Sequence, residues 1–164
     1  MDKFFISRAK YGGFTIIELM VTFVILAVLA TIAAPLTQVA MQRGKEQELR
    51  ASLRQIREAL DAYKIASDEG RIAKSMDESG YPPSLRILEE GVDDMKDPKK
   101  RKIYFIRRIP RDPMSDSTDL SPEATWGKRS YQSTADRPED GKDVFDVYSL
   151  SAGTGLNGIP YKTW

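Results

Sequence analysis

The sequence predicts an α+β protein in which one long N-terminal helix, membrane-spanning in its first half, packs on a small antiparallel β-sheet domain. Residues 14–36 are apolar or alanine except for Thr15, Glu18, Thr22, Thr31 and Pro35. Beyond them Leu49, Leu53, Ile56, Leu60 and Tyr63 recur at spacings of 4, 3, 4 and 3, an apolar stripe along one face of a helix. After Gly80 this period gives way to turn residues and short runs rich in β-branched and aromatic side chains.

The 23 residues of the apolar run make a helix of about 34 Å, enough for a hydrocarbon core of about 30 Å. Lys3, Arg8 and Lys10 precede it against a single Asp2, which places the N-terminus in the cytoplasm and the bulk of the chain outside. A secretory signal peptide also has a basic start and an apolar core. Here no small-residue cleavage site followed by a change of composition closes the run, and the helical pattern continues past Leu36.

Residues 37–68 continue the helix, whose length from residue 14 is roughly 80 Å at about 1.5 Å per residue. The apolar stripe is assigned to packing against the globular domain. The other faces carry Glu46 with Arg50 and Arg54 with Glu58 at i,i+4, and Gly70 offers a C-terminal stop. In residues 69–164, Tyr81-Pro82-Pro83 reads as a turn and residues 84–90 as a short helix that Ser84 can cap. Strands are expected at residues 103–106, 130–133 and 144–149. Arg137-Pro138-Glu139-Asp140-Gly141 reads as the turn of an antiparallel hairpin joining the last two.

Composition narrows the function. With 164 residues, no cysteine and no histidine, the chain has no disulfide, thiolate nucleophile, zinc ribbon, Ser-His-Asp triad or imidazole metal site, and an enzyme is not expected. A net charge of +1 argues against a dedicated nucleic-acid binder. The basic run Lys99-Lys100-Arg101-Lys102 has no nucleic-acid module around it and reads as a solvated loop. Gly153, Gly155 and Gly158 formally satisfy the dinucleotide fingerprint, but too little chain follows for the helix that a pyrophosphate needs, so tight turns account for them.

Glu18 is the anomaly. A carboxylate inside an apolar run costs about 2.5 to 3.5 kcal/mol on insertion scales, and no basic residue lies within a helical turn of it inside the run. A cation must come from another chain or from a new amino terminus. A cut between Gly13 and Phe14 creates an α-amine at the head of the helix, able to neutralise Glu18 of a neighbouring subunit.

Gly12-Gly13-Phe14-Thr15-Ile16-Ile17-Glu18-Leu19-Met20-Val21 resembles the class III signal of type IV pilins and type II secretion pseudopilins. The resemblance implies a type IV pilin-like fold and a leader over residues 1–13 that a prepilin peptidase/methyltransferase removes after Gly13. It makes Phe14 the N-methylated first mature residue and Glu18, with Phe14, the filament-assembly site. Pro35 becomes a helix-kinking proline, which is also the ordinary reading of proline in a membrane helix.

Tyr81-Pro82, Ile109-Pro110-Arg111-Asp112-Pro113 and Tyr148-Ser149-Leu150-Ser151-Ala152-Gly153 resemble landmarks of the major, G-type pseudopilin, with residues 114–127 as an insertion of unassigned role. The C-terminal cysteine pair of many type IVa pilins is missing, which favours a secretion pseudopilin over a surface pilin. The major pseudopilin typically binds calcium in its C-terminal loop through acidic side chains. Here Thr154-Gly155-Leu156-Asn157-Gly158-Ile159-Pro160-Tyr161 has no carboxylate, so no calcium is expected there. Asp136, Glu139, Asp140 and Asp143 match no EF-hand spacing and read as a solvated turn.

The resulting expectation is a structural subunit with no cofactor and no catalytic residues, a homopolymer held in the inner membrane before assembly into a periplasmic filament that drives export of folded proteins. Its implied partners are minor pseudopilins, an inner-membrane platform and a cytoplasmic ATPase. The alternatives are a type IV pilin of a surface filament and a membrane-tethered periplasmic domain that never polymerises.

Overall fold

The structure is a computed structural model that describes residues 13–164, with backbone only at residues 32–35. The leader assigned to residues 1–13 therefore lies, Gly13 apart, outside the described residues. So does the bend assigned to Pro35, although the helical backbone runs through that position without a break. The chain divides into two compact units, Met1–Met41 and Gln42–Trp164.

Helix α1 spans Ile16–Asp68. In the first unit its apolar side chains stand open among the described residues: Ile16, Leu19, Phe23, Leu26 and Leu29 are all more than half exposed. By length and composition this is the one described helix able to cross a membrane. The two threonines deeper in the run satisfy their hydroxyls on the helix itself, Thr22 Oγ1 donating to Leu19 O and Thr31 Oγ1 to Val28 O, each at 2.7 Å.

In the second unit the expected stripe is the core. Leu49, Leu53, Ile56, Leu60 and Tyr63 are buried, together with Leu85, Leu88, Ile106, Ile109, Trp126, Val144, Val147 and Tyr161. Each such aliphatic side chain contributes about 1.5–3 kcal/mol on leaving water. The helix ends where Gly70 was expected to stop it. Gly70, at φ 71°, donates its N–H to Ser67 O and Arg71 donates to Ala66 O, the paired bonds of a Schellman cap. The two expected i,i+4 pairs do not form among the described residues: Glu46 is buried and bonded to Tyr161, and Arg50 lies over the Trp164 ring.

The remaining elements are a short helix α2 (Arg86–Glu90) and strands β1 (Val92–Asp93), β2 (Lys102–Ile103), β3 (Trp126–Arg129) and β4 (Asp146–Ser149). They form two antiparallel pairs, β1 with β2 and β3 with β4, the latter in the register Trp126 to Ser149 and Arg129 to Asp146. Arg57 of α1 fastens β4 by donating from Nε to Asp146 Oδ1 at 2.8 Å, and Arg129 of β3 reaches the other oxygen at 3.3 Å.

Several expected boundaries are corrected. The strand at residues 103–106 stops at Ile103, because the Phe105 and Ile106 amides both turn to Leu88 O and deliver Ile106 to the core. Residues 130–133 are a turn, and the strand lies just upstream, where Trp126 is buried and Gly127 leaves room for the Tyr148 ring that a Cβ would strike at 2.4 Å. The last strand begins at Asp146, since the Val144 amide goes to Pro82 O. β3 and β4 are antiparallel neighbours, as expected, but residues 130–145 join them in place of a tight turn. α2 begins after Leu85, with no side-chain cap from Ser84.

After α1 the chain is tied to the β1–β2 hairpin by Arg71, whose Nη2 donates to Asp94 Oδ2 at 2.6 Å. This hydrogen bond holds the Asp94 carboxyl below the usual aspartate range, burial opposing it and the Lys96 N–H adding to it. A carboxyl depressed in the folded state contributes stability above its unfolded pKa, and that contribution is lost as pH falls through the folded value. Asp94→Asn is therefore expected to lower the thermal midpoint at neutral pH, and the gap to wild type should close in strongly acidic buffer.

Candidate functional site

The candidate assembly site stands at the head of α1. Gly13 and Phe14 precede the helix, and the Phe14 side chain is 87% exposed. No described atom beyond its chain neighbours lies within 4 Å of where a Cβ on Gly13 would stand, so the described residues do not require glycine there.

Thr15 and Glu18 close the first turn on each other. The Thr15 N–H and Oγ1 both donate to Glu18 Oε2 at 2.8 Å, and the Glu18 N–H donates back to Thr15 Oγ1 at 3.3 Å. With Thr15 at the N-cap and Glu18 three residues on, this is a capping box, and the carboxylate also sits at the positive end of the helix dipole. The carboxylate thus has two neutral donors inside its own chain. Reasoning from charge alone passed over Thr15. The T-x-x-E spacing was the signal that would have found it.

Two of the downstream landmarks, residues 109–113 and 148–153, meet in a buried polar cluster of the second unit. Asp112 is 1% exposed; its Oδ2 accepts from Ser149 Oγ at 2.6 Å, its Oδ1 from the Met114 N–H at 2.8 Å, and its own N–H donates to Thr125 Oγ1. Trp126 donates from Nε1 to Pro110 O at 2.8 Å. The Tyr81-Pro82 landmark is tied to the approach to β4, with Pro82 O accepting from the Val144 N–H at 2.8 Å and the Tyr81 ring edge-on to Phe145. Within the segment read as an insertion, residues 114–127, Trp126 and Gly127 are strand residues of the core. Arg111 braces what remains by donating to Leu120 O at 2.7 Å and to Ser117 O.

Residues 8–34 match the pattern described as the prokaryotic N-terminal methylation motif. Over 146 residues the chain is 30% identical to the type II secretion system core protein G of Vibrio cholerae, an alignment covering 87% of this chain and 82% of that protein. The chain belongs to the type II secretion system core protein G family. A core protein G from Pseudomonas aeruginosa is 30% identical over 150 residues, 89% of this chain and 87% of the relative. One from Klebsiella pneumoniae is 33% identical over 118 residues, 69% and 76% of the two chains. No solved structure matches the chain. The resemblance to G-type pseudopilins read from residues 12–21 and from the landmarks is thus shown by alignment across most of the chain. These relatives are named for a secretion system, and none of their names specifies a catalytic activity.

The acidic side chains through which the resemblance to major pseudopilins would bring calcium to the C-terminal loop have no counterpart in this chain, whose loop offers carbonyl oxygens and the Asn157 amide. Residues 150–164 contain no Asp or Glu. Among the described residues no three acidic, histidine or cysteine side chains gather to hold a metal. Asp143 is not merely solvated either: it accepts from Ser79 Oγ and, at 2.9 Å, from the Tyr131 N–H, pinning the 130–145 connection.

Proposed function

We propose that this pseudopilin is made as an inner-membrane precursor, loses residues 1–13, is methylated on Phe14 and polymerises through residues 14–36 into a periplasmic filament that drives export of folded proteins. The observation that carries the reading is the juxtaposition at the head of α1. Glu18 is the one carboxylate of residues 14–36, whose large apolar side chains stand exposed among the described residues, and it lies four residues after the position where a cut would place an amine. Apolar side chains exposed on this scale need lipid before assembly and neighbouring helices after it. That no described residue crowds Gly13 supports a glycine requirement imposed from outside, by the cleft of a prepilin peptidase/methyltransferase.

In this reading the N-terminus is cytoplasmic, residues 14–36 form the membrane and assembly helix, residues 37–68 continue it, and residues 69–164 form the periplasmic domain. A cytoplasmic ATPase and an inner-membrane platform add subunits, minor pseudopilins share the filament, and the chain itself catalyses nothing.

Two experiments test this. Intact-mass measurement of subunits taken from filaments is expected to give a chain beginning at Phe14 and carrying one added methyl group; a subunit retaining residues 1–13 contradicts the scheme. Deletion of the gene is expected to leave specific folded proteins trapped in the periplasm with surface pili and twitching unchanged. An unaltered secreted-protein profile together with loss of surface filaments would promote a type IV pilin instead.

A further inference from the structure

The segment that lacks calcium ligands is nevertheless closed tightly, and the groups that close it come from α1. Glu46, 8% exposed, presents Oε1 to three donors: the Leu156 N–H at 2.8 Å, the Tyr161 hydroxyl at 3.0 Å and Gln42 Nε2 at 3.3 Å. Gln42 Nε2 also lies 2.9 Å from the Tyr161 hydroxyl oxygen and 3.4 Å from Thr154 O. One turn on, the Arg50 guanidinium stands 4.3 Å from the centre of the Trp164 ring, and Arg57 Nη2 donates to Trp164 O at 2.9 Å. The loop folds to meet them. Gly155 donates to Ile159 O, Gly158 adopts φ 77°, and Tyr161 donates its N–H to Gly153 O.

We propose that Glu46 is the anchor that closes the C-terminal loop onto α1, making loop closure in this chain independent of a divalent cation. The chemistry of the site is the inverse of a cation site. A calcium site gathers six to eight oxygens around a positive charge. Here the single carboxylate is fixed on the helix, and N–H and O–H donors converge on it from the loop and from Gln42. Their hydrogens point toward Glu46 Oε1, so an approaching cation would have to displace them. Burial raises the pKa of the Tyr161 phenol, the Gln42 hydrogen bond opposing and Glu46 adding to the rise, which keeps the hydroxyl protonated as a donor. A glycine-rich loop has much backbone freedom to lose. Hydrogen bonds to a charged acceptor are about twice as strong as neutral ones, which suits Glu46 to offset that loss. The inference does not depend on filament formation, so failure of the proposed function would leave it standing.

The test uses the full chain in detergent micelles and reads hydrogen exchange at the Leu156 amide, with the Lys128 amide of β3 as an internal control. Glu46→Ala is expected to speed exchange at Leu156 about tenfold or more while Lys128 changes little, since the loss is local. Glu46→Gln keeps the side-chain volume and a neutral acceptor, and is expected to speed Leu156 by a few-fold at most, roughly half the alanine effect in energy. It also serves where the alanine variant fails to fold. The wild-type thermal midpoint should be the same in chelator and in millimolar calcium, and calcium should not slow exchange in either variant. A calcium-raised midpoint in the wild type would overturn the proposal, because a bound ion stabilises by mass action. So would unchanged Leu156 exchange in the variants, or acceleration at Leu156 and Lys128 alike, which would make Glu46 a general core residue.

Discussion

A Glu18→Ala chain is expected to enter the membrane at least as well as wild type and to yield no filaments. Insertion should improve, because the variant lacks a carboxylate that costs about 2.5–3.5 kcal/mol in an apolar run. What the helix loses locally is the capping box with Thr15, worth roughly 1 kcal/mol. That is small for a helix continuing to Asp68. Assembly loses more, since the α-amine of a neighbouring Phe14 would enter the apolar bundle with no counter-charge. Glu18→Gln separates the two contributions. Its amide oxygen still accepts from Thr15, so the cap survives while the charge is gone, and filaments should be absent again. Membrane fractionation checks insertion, and the yield of sheared filaments checks assembly. Wild-type filament yield from both variants would mean that the carboxylate is dispensable and that packing of the apolar faces suffices.

The largest stability effect is expected at Trp126, outside the assembly helix. Trp126→Ala removes a 2%-exposed indole from the core where β3 meets the Pro110 segment, and a change of that size costs about 3–5 kcal/mol. The residue also pairs with Ser149, whose hydroxyl bonds Asp112, so the cavity opens beside a buried carboxylate. Trp126→Phe keeps most of the ring but strands Pro110 O without its indole donor, a loss of about 1–3 kcal/mol. Leu120→Ala, on the exposed insertion, should stay within about 0.5 kcal/mol of wild type. Denaturant unfolding of the three variants orders them. If Trp126→Ala lies within about 1 kcal/mol of wild type, the cluster around Trp126 and Asp112 is not the core of the domain.

What was legible in the sequence was whatever a single helix or a single turn decides. Residues 14–36 are legible as an apolar helix long enough to cross a membrane because that test rests on length and composition alone, and the buried stripe from Leu49 to Tyr63 is visible because a helix repeats its inward face every three to four residues. Gly70 stops α1 because a left-handed cap needs a residue without a Cβ. Thr15 was equally local and was overlooked only because Glu18 was weighed as a charge and not as a cap.

The β-structure could not be located this way. Strands of two to four residues carry too little alternation to mark their own ends, so β3 was placed four residues late. Its true position depends on the Trp126 indole meeting Pro110 O and on Tyr148 needing the space over Gly127, contacts made across 16 and 21 residues of chain. Glu46 shows the same limit most clearly. By sequence it pairs with Arg50 one turn away, yet in the fold it is buried against Leu156 and Tyr161, more than a hundred residues on. A buried carboxylate takes whichever donors the tertiary structure brings to it, and in α1 the donors from the C-terminal loop replaced the nearby arginine.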